Sequence, residues 1–286
     1  MKNIVEVKKL IKKYDSKFEL GPINLDIPGG MIVGLIGKNG AGKTTFMKSI
    51  LSLISIDSGS IKIFGKEYTD DSIKEDIGVV LSDMFLPEIL TAKDIHFIMK
   101  DIYKRWDRDL YFYYLKEFDI SVDKKLKELS KGMRKKVEIA VSLSHHPKLL
   151  LLDEATSGLD PVVREEILDI FLKFVSDEEH SILFSTHITS DLEHIADCII
   201  FINQGKIVLS ENRDSILDYY GVLKCDKDYF SSICKEDILV YTENKYNYHI
   251  LVKDKNNIKK KYKDCVVDAV NLDEFMILMI KGEKIC

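Results

Sequence analysis

Apolar residues along the chain fall into short runs separated by longer stretches where they mix with charged ones. Residues 4–7, 23–27 and 31–36 are apolar-rich runs of strand length, and Pro28-Gly29-Gly30 sets a turn before the third. A helix is expected to follow from about residue 42 to residue 54. Charged and apolar positions interleave across residues 83–146, which predicts a largely helical subdomain. Residues 149–152 are four consecutive leucines just after Pro147-Lys148, the composition of a strand buried on both faces of a parallel sheet. Residues 182–185 form another short apolar strand. Strands alternating with helices in this way predict an α/β core around a parallel sheet.

The pattern changes near residue 219. Residues 238–241 and 248–252 are set as the two arms of a hairpin. Asn271, with Glu274 three residues on, reads as a capping box opening a last helix. Residues 219–286 are therefore expected to form a small α+β domain, close to the lower size limit for folding alone, behind a main domain spanning residues 1–218.

Composition narrows the class without changing this outline. The chain has 286 residues, 45% of them apolar, enough for a sizeable core. Its 42 Lys and Arg against 47 Asp and Glu leave a net charge of −5, which argues against a nucleic-acid partner. No apolar run approaches the ~20 residues that span a bilayer, and the first ten residues hold no stretch of signal-peptide length. Any membrane role therefore needs a partner that supplies the spans. The five cysteines, Cys198, Cys225, Cys234, Cys265 and Cys286, are odd in number and lack C-x-x-C spacing. They read as reduced thiols of a cytosolic protein.

The chemistry begins at Gly37-Lys38-Asn39-Gly40-Ala41-Gly42-Lys43-Thr44, followed by Thr45. This is G-x-x-x-x-G-K-(S/T), between an apolar strand and a helix, the context a phosphate-binding loop requires. Glycines let the backbone wrap closely, so that successive N–H groups point at phosphate oxygens. The helix N-terminus adds partial positive charge. Lys43 is the counter-charge for the β- and γ-phosphates, and the Thr44 hydroxyl is a magnesium ligand. ATP and magnesium are the cofactors expected. The fold class is then α/β: a P-loop NTPase core with a parallel sheet, a helical subdomain over about residues 83–146, and the small C-terminal domain.

The four leucines end in Asp153-Glu154. Ligands of open α/β sheets bind beyond the carboxyl ends of the strands, so Asp153 is expected beside the loop as a magnesium ligand. Glu154, pointing another way, is the candidate to polarise the attacking water. Ser185-Thr186-His187 ends the next apolar strand, which makes His187 the candidate to reach the γ-phosphate. His145, His146 and His194 are read as ordinary core or surface histidines.

Upstream of Asp153 lies Leu129-Ser130-Lys131-Gly132-Met133-Arg134, and downstream Ser157-Gly158-Leu159-Asp160. With the loop, the acidic strand end and Thr186-His187, this ordered set resembles the ABC ATPase family, whose signature is L-S-G-G-Q. The resemblance covers about residues 3–215. It implies a head-to-tail dimer, with a second copy or a related ATPase subunit, holding two ATPs between the chains. Ser130 and Gly132 would then touch the partner's ATP, and Asp160 would lie at the seam. Lys131 and Met133 depart from the signature, the first adding charge and the second removing a polar group. Tyr14 matches the aromatic that stacks on adenine, with Phe18 as the alternative. The resemblance also implies an integral membrane permease, docked on a helical subdomain whose residues 97–118 are rich in aromatics. That places the chain at the cytoplasmic face of the cell membrane. The L-S-K-G-M form, residues 103–107 and the tail over 272–283 are similar to the branch exporting antibiotics, peptides and polyketides.

Two points qualify the resemblance. The family places a magnesium-binding glutamine after the strand that follows the P-loop helix, yet residues 77–83 hold none and the chain's only glutamine is Gln204. Ser82 aligns best by count, while Asp83 is the harder oxygen ligand and is the residue expected to take that place. The alternative function is a soluble ABC ATPase acting on ribosomes or nucleic acid. A single cassette, no long coiled coil and an acidic balance weigh against it.

Overall fold

The structure, a computed structural model, describes residues 2–14, 18–82 and 86–283. Two long strands open it, β1 (Asn3–Tyr14), which continues well past the apolar run 4–7 at its start, and β2 (Phe18–Pro28), which begins well before the run 23–27 at its end. They pair antiparallel with each other and with β4 (Ser58–Ile63), and β5 (Lys66–Glu67) closes that sheet in the order β2-β1-β4-β5. Its buried positions alternate with exposed ones, because one face packs on the core and the other meets water.

The second sheet carries the site. It runs in the order β10-β9-β3-β8-β7-β6, with β3 (Ile32–Ile36), β6 (Ile77–Val80), β7 (Leu149–Asp153), β8 (Ser181–Ser185), β9 (Cys198–Asn203) and β10 (Lys206–Asn212). All neighbours are parallel except β9 and β10, a hairpin turned at Gln204-Gly205, both in the left-handed region. Every residue of β3, β7 and β8 is buried, as runs covered on both faces must be. Each of the four leucines of β7 is fully buried, worth roughly 1.5–3 kcal/mol apiece.

Helix α1 (Lys43–Ile50) stops short of residue 54, because Ser52 turns into the left-handed region at φ 56°. Residues 86–146 hold three helices with irregular links: α2 (Ala92–Ile102), α3 (Arg108–Glu117) and α4 (Lys131–Leu143). Thr91, Asp107 and Ser130 cap them, each side chain accepting a first-turn N–H. The subdomain has its own core around Ala92, Ile95, Tyr111, Leu115 and Val137. Tyr111 is fully buried and donates its hydroxyl to Ala92 O at 3.0 Å. Of the aromatics expected here, Tyr111 and Phe118 are buried in this core, while Phe97 and Tyr113 are exposed.

Helices α5 (Pro161–Phe174) and α6 (Thr189–Ile195) complete the α/β core, and α7 (Arg213–Tyr219) leads straight into β11 (Tyr220–Cys225). The composition change near residue 219 coincides with that junction. Beyond it come α8 (Lys227–Phe230), β12 (Val240–Glu243), β13 (Tyr248–Lys253), α9 (Lys255–Lys261), β14 (Val266–Ala269) and α10 (Leu272–Lys281). The antiparallel sheet β12-β13-β11-β14 includes the expected hairpin, with Val240 opposite Leu251. Asn271 caps α10, accepting the Glu274 N–H at 2.8 Å. The C-terminal unit is not an appendage. Val222, Leu251, Leu272, Phe275 and Leu278 belong to the same apolar cluster as Leu150, Phe184, Leu192 and Ile195 of the main domain.

Candidate active site

The buried strand β3 delivers the chain to Gly37, and α1 starts at Lys43. Between them the backbone makes a turn that only small residues permit. Gly40 and Gly42 take φ of 78° and 113°, left-handed conformations costly for L side chains. A Cβ at Gly37 would lie 2.3 Å from Ile202 O. A cavity of about 530 Å³ opens over this turn, lined by Phe18, Lys38, Asn39, Gly40, Gly42, Lys43, Thr44, Thr45, Ser82 and Glu154. Gly37 and Ala41 are absent from the lining. Gly37 lies underneath, its carbonyl accepting from Lys43 Nζ at 2.7 Å, and Ala41 O accepts the Gly205 N–H.

Lys43 is only 6% exposed, with Nζ 3.9 Å from Glu154 Oε1. Burial lowers the pKa of its ammonium, and the Glu154 and Asp153 carboxylates oppose that shift.

The two carboxylates at the end of β7 diverge. Asp153, fully buried, accepts from Thr44 Oγ1 at 2.7 Å and from Ser82 Oγ at 2.9 Å, both on Oδ2. Its Oδ1 is buried without a hydrogen-bond partner. An orphaned carboxylate oxygen beside two hydroxyls is a set of hard oxygen donors, and it fits magnesium, which takes one or two carboxylates and completes its shell with phosphate and water. The Ser185 hydroxyl, from the residue paired with Asp153 across β7 and β8, is also buried without a partner. Asp83, expected to stand in for the missing glutamine, lies outside the described residues. Among the described residues of that loop, Ser82 is the side chain placed at Asp153.

Glu154 occupies the left-handed region at φ 54°, a strained conformation for a non-glycine residue. Its N–H is fixed by Ser185 O at 2.8 Å. That backbone turn swings its carboxylate away from Asp153, toward Lys43 and toward His187, whose Nδ1 lies 2.6 Å from Glu154 Oε2. His187 is 53% exposed in its side chain and is not among the residues lining the cavity; it meets the site through Glu154.

The remaining expected residues lie elsewhere. Ser130 caps α4, accepting the Met133 N–H at 3.2 Å, and Asp160 caps α5, accepting the Val163 N–H at 3.1 Å. Gly132 faces Leu159, and the Lys131 ammonium lies 2.8 Å from where a side chain on Gly158 would begin. The two stretches thus adjoin each other, and neither lines the phosphate cavity. Tyr14 is 42% exposed with its ring 6.5 Å from that of Phe18. Phe18 lines the cavity and Tyr14 does not. Sequence reading also missed Asp191, which is buried, accepts from Thr156 Oγ1 at 2.6 Å and pairs with Arg164 Nε at 3.3 Å. Burial raises the Asp191 pKa above the ordinary carboxylate value, against the pull of Thr156 and Arg164. An aspartate in an apolar-poor helix start gives no signal of burial by itself.

Among the described residues no group of three or more His, Cys, Asp or Glu side chains is placed to hold a metal, and no helix is long and apolar enough to cross a membrane. A loop, a buried lysine and an acidic strand end arranged in this way define a P-loop ATPase. The chain belongs to the ATP-binding subunits of ABC transporters, enzymes that hydrolyse ATP to drive transport. Residues 20–157 match the family model described as ABC transporter. The chain is 37% identical to the lantibiotic transport ATP-binding protein SrtF of Streptococcus pyogenes, over 74% of this chain and 92% of that one. It is 28% identical to the ABC transporter ATP-binding protein YtrB of Bacillus subtilis over 98% of this chain and 99% of that one, a match that takes in the C-terminal unit. Among solved structures, an ATP-binding cassette captured as a dimer in a post-hydrolysis state with ADP and Pi superposes with a TM-score of 0.66 at 25% identity, over 73% of this chain and 98% of that one.

Proposed function

We propose that this subunit binds magnesium-ATP between itself and a second ATPase subunit and uses hydrolysis to drive a separate permease that exports a peptide antibiotic. The observation that carries the enzymatic part is the divergence of Asp153 and Glu154. Lys43 and the loop N–H groups hold the phosphates. Thr44, Ser82 and Asp153 would hold magnesium, which when bound would supply positive charge against the phosphates. Glu154 orients a water and accepts its proton as the oxygen attacks the γ-phosphorus. The bond from that phosphorus to the β–γ bridging oxygen breaks, leaving ADP and phosphate. His187, 2.6 Å from Glu154, holds the carboxylate's direction and offers its outer face to the γ-phosphate. Phe18, with Tyr14 beside it, forms the platform for the adenine ring.

The dimer is supported by what the cavity lacks. Ser130, Gly132 and Asp160 sit on a surface apart from it, and the related cassette was solved as a dimer. The antibiotic substrate is supported by SrtF, named for lantibiotic transport. The permease dock is supported by an apolar groove of about 450 Å³ between α1, β6 and the helical subdomain, lined among others by Ile50, Leu53, Ile73, Leu81 and Tyr103. An apolar groove of this kind suits an amphipathic helix. Docking there would keep the subunit at the cytoplasmic face of the membrane.

Leu53 is 60% exposed at that groove. Leu53→Asp is expected to leave the ATPase rate of the isolated subunit within about twofold, as for most surface changes, and to abolish co-purification with its permease. Retention of the permease by the variant overturns the dock. For the metal, Ser82→Ala is expected to raise the magnesium concentration for half-maximal ATPase by roughly tenfold, the scale of lost ligand support. If Asp83→Ala shifts the titration and Ser82→Ala does not, the carboxylate holds the place instead.

A further inference from the structure

Helix α6 begins two residues after His187, and it is short and poorly capped on its own account. It spans seven residues, and its N-cap, Ile188, contributes no side-chain hydrogen bond. A helix of this length does not hold itself in water, because too few internal bonds follow the costly first turn. What holds it comes from outside, on two sides. On one side Asp191 accepts from Thr156 at 2.6 Å and meets Arg164 at 3.3 Å, joining α6 to the loop that follows Glu154 and to α5. On the other side stands α10 of the C-terminal unit. Thr189 Oγ1 donates to Asp273 Oδ1 at 2.6 Å, and Glu193 Oε1 accepts the Leu272 N–H at 2.6 Å. The second bond places the carboxylate at the N-terminus of α10, where the helix dipole favours negative charge. Leu192 and Ile195 of α6 share an apolar cluster with Leu272, Phe275 and Leu278 of α10.

We propose that Asp273 of the C-terminal unit is a positioning residue for hydrolysis: through Thr189 it fixes the first turn of α6 and so holds His187 against Glu154. The C-terminal unit then completes the switch of its own subunit. This positioning role rests on the role proposed for His187 in hydrolysis. The chain between the anchor and the switch is only Ile188, so a shift of the first turn reaches His187 within one residue, against the one further tether of the Ile188 N–H to Thr186 Oγ1 at 3.0 Å. Geometric error of about an ångström at a reacting group costs up to roughly a hundredfold in rate, and loss of one tether out of several is a fraction of that.

The test is a kinetic cycle on the full-length chain. Asp273→Ala is expected to lower kcat by roughly three- to tenfold with the KM for ATP unchanged. Asp273→Asn and Thr189→Ser, which keep an acceptor and a donor, are expected to hold kcat at the wild-type value. In a His187→Ala background, Asp273→Ala is expected to have no further effect, because the group it positions is gone. Thr189→Val is the second arm, made in the main domain in case the α10 variant is poorly folded, and should reproduce the same pattern. An unchanged kcat in both Asp273→Ala and Thr189→Val overturns the inference. So does an equal loss with and without His187, which a general weakening of the fold would give. If His187→Ala itself leaves kcat unchanged, the role of His187 fails first, and the positioning role falls with it.

Discussion

Glu154→Gln is expected to bind ATP with nearly unchanged affinity and to hydrolyse it roughly 10²–10⁴-fold more slowly, the span of a lost general base. Glutamine is isosteric, and the turn that aims the side chain is set by the backbone. The Glu154 N–H bond to Ser185 O and the left-handed φ of 54° do not depend on the carboxylate. The amide can still bond to His187 Nδ1, but it cannot take a proton from water at neutral pH. Binding should survive because Lys43, Thr44 and Asp153 are untouched, and removal of a negative charge 3.9 Å from Lys43 Nζ leaves more of that cation's attraction for phosphate. The slow variant should accumulate with ATP as a dimer, visible by size exclusion with light scattering. Near-normal steady-state hydrolysis would remove Glu154 from the role. A variant that stays monomeric at saturating ATP, with its permease present, would defeat the shared-site dimer.

Lys43→Ala is expected to weaken ATP binding by roughly a hundredfold or more, since each charge-assisted hydrogen bond contributes about 1.5–3 kcal/mol and each 1.4 kcal/mol is a factor of ten. Two effects act in the same direction. The phosphates lose a buried cation, and Asp153 and Glu154 are left to repel them without it. The loop itself should keep its course, because its turn comes from Gly40 and Gly42 and from the Ala41 N–H bond to Lys38 O at 3.0 Å. Equilibrium binding of a fluorescent ATP analogue, with a thermal melt to verify folding, checks the result. An affinity within tenfold of wild type would show that the loop's N–H groups suffice alone.

Much of this site was legible before the fold was known. Gly37 to Thr44, the leucines ending in Asp153-Glu154, and Ser185-Thr186-His187 each mark the end of a strand by a change of residue type, and parallel strands bring such ends to one edge of the sheet. That the two carboxylates diverge was expected from the sequence, but what aims Glu154 is the left-handed turn one residue past the end of β7. Less legible was the reach of individual side chains. Counting along residues 77–83 left Ser82 and Asp83 as alternatives, and only the packing of that loop against β7 brings the Ser82 hydroxyl to 2.9 Å from Asp153. Sequence pointed to Tyr14 ahead of Phe18; the two are register partners on β1 and β2, and the path of β2 past the loop is what lines the cavity with Phe18. The helix boundaries in residues 86–146 followed the caps at Thr91, Asp107 and Ser130 rather than the broad apolar-charged mixture.

The sequence by itself determined the α/β class, the chemistry of nucleotide binding and the family, because these depend on residue types at fixed local spacings. The tertiary structure alone decided how the C-terminal unit relates to the site. Nothing local in Asn271-Leu272-Asp273 or in Thr189 predicts that they meet. Their contacts join residues more than 75 positions apart, at 84 for Thr189 with Asp273 and 79 for Glu193 with Leu272. Such pairings are fixed by the shared apolar cluster that seats α10 on α6, and burial of that kind is a property of the folded chain, read from no single stretch of it.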